Sequence, residues 1–199
     1  MIFIQKIKIK DQTYPGSHVL KLGFKIDCTD VNIFVGAQGC GKSTLLSLIQ
    51  ESHSDIELTL SDHVIENGVN SFYFDSEKDN PRTKNPELFT KPNGENIGIG
   101  FGRAIASRFE SHGETLEKFI IDPLLNAKDS VIILDEPESA LSIENQFKLI
   151  NAIKTAVSNN CQLFISTHCY PLIDAFDVIS LEHFETMTGK VFINKFKQI

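Results

Sequence analysis

Apolar positions along this chain fall into three patterns, each predicting a different kind of element. Ile2, Ile4, Ile7 and Ile9 are spaced as in a strand, with a phase change near Gln5. Leu20, Leu22, Phe24 and Ile26 alternate with polar or small residues, the pattern of a half-buried strand. Tyr14-Pro15-Gly16 supplies turn chemistry between the two runs, so together they predict an antiparallel sheet near the start of the chain. The runs Val31 to Val35, Val131 to Leu134, Leu163 to Ser166 and Val178 to Leu181 are short and almost continuously apolar. Strands of a parallel sheet covered on both faces read this way. From Ser142 to Val157 the period changes: Ile143, Phe147, Ile150, Ile153 and Val157 predict a helix laying one stripe on the sheet, with Ser142 as its N-cap. Thr188-Gly189 ahead of Val191 to Phe196 predicts a closing hairpin.

Between the first apolar run and a helical stretch from Thr44 to Ile49 lies Gly36-Ala37-Gln38-Gly39-Cys40-Gly41-Lys42-Ser43-Thr44. It fits G-x-x-x-x-G-K-[ST] without a gap, in the strand-loop-helix context that a phosphate-binding loop needs. Its glycines let the backbone amides of Gly36, Gln38, Gly39, Cys40 and Gly41 turn toward phosphates, and the helix N-terminus adds its positive end. Lys42 would reach the β- and γ-phosphates, and the Ser43 hydroxyl would hold Mg²⁺, with Thr44 beside it. The motif therefore predicts binding of a nucleoside triphosphate.

Two further strand ends carry chemistry. Val131-Ile132-Ile133-Leu134-Asp135-Glu136 ends in paired carboxylates. Asp135 is placed to orient Mg²⁺ and its waters, and Glu136 is the candidate general base for a lytic water. Leu163-Phe164-Ile165-Ser166-Thr167-His168 ends in a histidine able to hydrogen-bond a γ-phosphate and sense its loss.

Composition narrows the class. A chain of 199 residues suffices for one sizeable core, and its net charge of −7 opposes a surface that broadly attracts nucleic acid or acidic membranes. Four cysteines without a C-x-x-C pair read as reduced and predict a cytoplasmic protein. Met1 to Lys10 lacks a signal peptide's apolar stretch, and no run approaches the roughly 18 residues of a membrane span. No direct membrane insertion is expected. Ser76 to Gly102 is polar and rich in Pro, Gly, Asn and Lys, a candidate partner surface on composition.

Asp135-Glu136-Pro137-Glu138-Ser139-Ala140-Leu141-Ser142 resembles the Walker B and D-loop of ATP-binding-cassette (ABC) ATPases, where Pro-Glu and Ser-Ala-Leu-Asp follow the acidic pair. Ser166-Thr167-His168 resembles their switch-histidine loop, and the order of motifs is the same to about residue 181. The resemblance implies an α/β P-loop NTPase of the ABC type, with a mostly parallel central sheet flanked by helices and an N-terminal antiparallel β-subdomain. It implies a single domain over 1–199 with a short signature-bearing insertion at about 76–127. ATP and Mg²⁺ are the implied cofactors. ATP hydrolysis is the implied activity, in a head-to-tail homodimer where one subunit's signature loop caps the ATP on the other's phosphate loop.

Two departures stand out. The usual Leu-Ser-Gly-Gly-Gln signature is absent, and Ser111-His112-Gly113-Glu114 before the helical stretch Thr115 to Ile121 is the best match. Ser111, Gly113 and Glu114 are therefore the expected γ-phosphate contacts from the partner, with Glu114 in the place of Gln. No Q-loop Gln follows the phosphate-loop helix; the strand-like Ser71-Phe72-Tyr73-Phe74 ends instead in Asp75-Ser76-Glu77. Tyr14 is a candidate for stacking on the base. The stretch from Ser43 to Ser111 is too short for the coiled-coil arms of chromosome-maintenance ATPases and tight for a transporter's helical subdomain. The chain is thus similar to small soluble ABC-class ATPases, nearer the repair and maintenance branch than the transporters. A nucleotide-dependent regulatory subunit controlling a nuclease or toxin, and a transporter's ATP subunit, are the alternatives. Nucleic acid as a partner stays open.

Overall fold

The computed structural model describes residues 2–76, 120–139 and 141–197. Two sheets organise them. The smaller is antiparallel, in the order β2 (Lys25–Asp27), β1 (Ile4–Ile9), β4 (Ile56–Leu60). The phase change near Gln5 is a register shift between Ile4 and Lys6, which keeps both Ile4 and Ile7 in the core. The predicted strand from Leu20 is shorter than its alternation suggests. A turn closed by Lys21 O and Phe24 N, with Gly23 at φ 76°, interrupts it and leaves Leu22 54% exposed. Ile56–Leu60, not foreseen as a strand, completes this sheet after the phosphate loop.

The larger sheet runs β5 (Asn70–Asp75), β6 (Ser130–Asp135), β7 (Gln162–Ser166), β3 (Val31–Val35), β8 (Asp177–Ser180), β9 (Glu185–Thr188), parallel except for β9. Its continuous apolar runs have two destinations. Ile33, Val35, Ile132, Leu134, Leu163 and Ile165 face one core, while Phe34, Val131, Ile133 and Phe164 face the other. Helix α1 (Lys42–Glu51) and the antiparallel sheet cover the second face. The first is covered by α3 (Asp122–Asn126), α4 (Ile143–Ser158), α5 (Tyr170–Ala175) and α6 (Gly189–Phe196). Short α2 (Asp62–Asn67) buries none of its residues.

Helix α4 begins at the predicted Ser142 cap, whose hydroxyl accepts from Asn145 N at 3.3 Å. Its buried face is rotated from the expected stripe. Leu149, Ile150, Ala152, Ile153 and Ala156 meet the sheet, whereas Ile143 and Phe147 are 70% and 56% exposed. Ala152 and Ala156 lie buried on that inward face.

The end of the chain also differs from expectation. The hairpin turns at residues 181–184, before Thr188, and Val191 to Phe196 are helical. Thr188 is the N-cap of α6, accepting from Val191 N at 3.3 Å. A Cβ on Gly189 would fall 1.5 Å from Ile173 O, so only glycine fits where α6 crosses α5. Phe192 and Ile193 then pack together into the core, a helical pairing that resembles a strand when read in isolation.

All four cysteines are free. Burial pushes the Cys28 thiol up to about 12 and raises Cys161 and Cys169, which suits inert packing groups.

Candidate functional site

Parallel pairing brings several strand ends to one edge: Asp75 is in register with Asp135, Asp135 with Ser166, and Phe34 with Ser166. The chain leaving each strand therefore opens onto the same crevice, where ligands of open α/β sheets bind. A cavity of about 450 Å³ lies there.

One wall is the phosphate loop. Gln38, Gly39, Gly41, Lys42, Ser43 and Thr44 line the cavity. Gly41 has φ 97°, and a Cβ there would sit 2.8 Å from Val19 Cγ2 and Leu20 Cδ2. Glycine is thus required both by conformation and by the neighbouring wall. Lys42 is buried, with Nζ donating to Gly36 O at 3.1 Å and Ala37 O at 3.2 Å, and with Cys40 Sγ at 4.0 Å. The sulfur is the weakest of these acceptors and the easiest to exchange for a phosphate oxygen. Gly36 and Cys40 do not line this cavity; the Cys40 side chain packs against the core.

The opposite wall carries the carboxylates. Ser43 Oγ donates to Asp135 Oδ1 at 3.1 Å, and Ser166 Oγ donates to the same oxygen. Ligand oxygens about 2.1 Å from an octahedral ion lie about 3.0 Å apart at adjacent corners. A hydroxyl and a carboxylate oxygen at this spacing fit Mg²⁺, a hard cation that also keeps waters and phosphate oxygens. Glu136 follows at φ 48°, a left-handed conformation uncommon for a side-chain-bearing residue, and its amide is held by Ser166 Oγ at 3.0 Å. That backbone turn aims Glu136 into the cavity, where His168 Nε2 stands 3.6 Å from its Oε1.

Several cavity residues were not marked by motif. Gly16, His18 and Val19 form the outer wall, while Tyr14 turns away from it. The Tyr14 ring packs edge-on against His53 at 5.1 Å and its hydroxyl reaches Glu51, so the candidate for base stacking does not line this cavity. The loop that carries these residues is anchored by buried Asp55, which accepts from Thr13 Oγ1, Tyr14 N and Ser17 Oγ. Asp75 and Ser76, at the strand end where the sequence offers no Q-loop Gln, also line the cavity. Ser111, Gly113 and Glu114 lie outside the described residues, as does most of the 76–127 insertion.

No known family model and no curated relative matches the chain. Its structure is similar to a metal-chelate type ABC transporter in an inward-facing conformation, with TM-score 0.58 and 18% identity over 95% of this chain and 84% of that one. It is also similar to the ATP-binding cassette MJ0796 as a post-hydrolysis dimer bound to ADP and Pi, with TM-score 0.59 and 17% identity over 92% of this chain and 97% of that one. A dimeric structure of MJ0796 as a bacterial ABC transporter cassette gives TM-score 0.57 and 17% identity over 88% and 93%. At such low identity it is the course of the backbone that is shared. The phosphate loop, the acidic strand end and the histidine strand end thus stand on the fold of the ABC ATPase cassettes.

Proposed function

We propose that this protein binds and hydrolyses Mg-ATP and that the nucleotide closes two copies head to tail. The observation that carries the reading is the convergence on one cavity of Lys42, the Ser43–Asp135 pair at 3.1 Å and the Glu136–His168 pair at 3.6 Å. In this reading Lys42 and the loop amides hold the β- and γ-phosphates. Ser43 and Asp135 would hold Mg²⁺, which would neutralise phosphate charge when bound. Glu136 accepts a proton from the attacking water, and His168 donates a hydrogen bond to the γ-phosphate. Ser111, Gly113 and Glu114 of a second copy would close the cavity from outside. The cellular setting proposed is that of a non-transporter ATPase acting in the cytoplasm, alone or on a protein effector.

The test is Glu136→Gln. It should bind ATP, lose roughly 100-fold or more in turnover and sediment as a dimer only with Mg-ATP. Wild-type turnover in this variant would remove Glu136 from the mechanism. The transporter reading draws on the compared cassettes, two of which are described as belonging to transporters. Among the described residues no helix is long and apolar enough to cross a membrane, so that reading needs an integral partner. Co-purification of such a partner from membranes would favour it.

A further inference from the structure

Glu138 lies beyond the carboxylate pair, yet its side chain reaches across to the neighbouring strand end. Its Oε1 accepts from Thr167 Oγ1 at 2.6 Å and from His168 N at 2.9 Å. Thr167 Oγ1 in turn accepts from Cys169 N at 2.9 Å, so the hydroxyl proton is committed to Glu138. Glu138 Oε2 is buried without a hydrogen-bond partner among the described residues. A solvated acidic turn would not enclose an oxygen in this way, and such a group asks for an explanation. Burial pushes the Glu138 carboxyl above its ordinary range despite the bonds from Thr167 and His168, with the charge of Glu136 adding to the rise.

The connections form a closed circuit. His168 presents its ring to Glu136 and donates its amide to Glu138, while Glu136 and Glu138 are joined through buried Pro137. Proline's fixed φ makes that joint stiff. Ser139 N bonding to Glu136 O at 3.0 Å and Leu141 N to Glu138 O at 2.9 Å fold the turn on itself. Moving Glu138 would therefore move the backbone that aims His168.

We infer that Glu138 is a positioning residue for hydrolysis: through Thr167 and the His168 amide it fixes the end of β7 so that the imidazole stands beside Glu136. The inference rests on the proposed ATPase reading. Glu138→Ala should lower kcat about tenfold while leaving the KM for Mg-ATP within about twofold, because the phosphate loop is untouched. Glu138→Gln keeps an oxygen that accepts from both donors and should retain kcat within about threefold. If Glu138 acts through His168, adding Glu138→Ala to His168→Ala should cost less than about twofold more.

Hydrogen exchange supplies a second readout. The His168 amide should lose protection in Glu138→Ala and keep it in Glu138→Gln. Thr167→Val, which removes one donor to the carboxyl together with the acceptor of Cys169 N, should lower kcat about threefold and serves if the alanine variant fails to fold. Wild-type kcat in Glu138→Ala or Thr167→Val, or full additivity with His168→Ala, would overturn the inference. Should Glu136→Gln be inactive while those variants turn over normally, the ATPase reading survives and only the positioning role falls. Wild-type protein without ATP turnover would sink both.

Discussion

Asp55 shows how a single buried carboxylate can shape the strand-end cavity without entering it. Burial opposes its charge, but the hydrogen bonds from Thr13, Tyr14 N and Ser17 outweigh that opposition and hold its pKa below the ordinary range. A depressed carboxyl stabilises the fold at neutral pH, and its contribution disappears as pH falls below about 3.9 toward the folded-state value. The loop it anchors carries Gly16, His18 and Val19 into the cavity wall. Melting temperatures followed from pH 7 to 3 should therefore fall more steeply for wild type than for Asp55→Asn, which has already lost the titrating group. At pH 7 the Asn variant should also bind a fluorescent ATP analogue more weakly. Equal acid sensitivity of the two proteins would show that this carboxyl is not linked to folding. Gly41 makes the complementary point at the same wall: Gly41→Ala should abolish analogue binding, since its new methyl would strike Val19 and Leu20. Retained binding would mean that the loop can shift as a unit.

At the level of elements, local chemistry and long-range packing separate cleanly in α4. Its start was legible because an N-cap is a short-range device, and Ser142→Ala should lower stability by about 1 kcal/mol in urea unfolding. Its inward face was not, because Ile143 and Phe147 satisfy helical spacing as well as the residues that do pack. Which face turns inward is settled by packing against residues distant in the chain, where Leu149, Ala152 and Ala156 are buried beside Ile150 and Ile153. Replacing both Ile143 and Phe147 by Lys should shift stability by no more than about 0.5 kcal/mol each, the range of surface changes. A loss of several kcal/mol would restore them to the core. The same division explains the rest of the sequence reading. The cavity-lining residues of the G-x-x-x-x-G-K-[ST] loop, Asp135, Glu136 and His168 are readable because each sits in a short contiguous motif at a strand end. His18, Val19 and Asp55 are not, since each gains meaning only from elements distant in the chain. The stretch from Val191 misleads for a related reason: three adjacent apolar residues suit a buried strand and one face of a helix alike, and tertiary contact decides.

Across the whole molecule, the two sheets must keep a fixed relation, because the parallel sheet supplies the carboxylates and the antiparallel one supports the loop that walls the cavity. Gln162, buried at the start of β7, spans the gap between them. Its Oε1 accepts from Phe3 N at 3.0 Å and Ile4 N at 2.8 Å, and its Nε2 donates to Ile4 O at 2.8 Å and Thr29 O at 3.0 Å. All four bonds of one amide are thus made to backbone groups, which no aliphatic side chain of similar size can reproduce. In Gln162→Leu the volume is nearly conserved, so a cavity term contributes little. What remains is the desolvation of the four backbone groups left unpaired, each costing about 1–3 kcal/mol, for a combined loss of at least about 4 kcal/mol in chemical denaturation. Gln162→Glu would offer acceptors only and should be no better, since the two carbonyls need donors. Because the clamp lies at the opposite end of β7 from His168, a folded Gln162→Leu protein should keep the kcat of wild type while unfolding at lower denaturant. If stability is unchanged, the sheets are joined by apolar packing alone. If kcat falls while the protein stays folded, the relation between the sheets reaches the strand ends where the proposed chemistry sits.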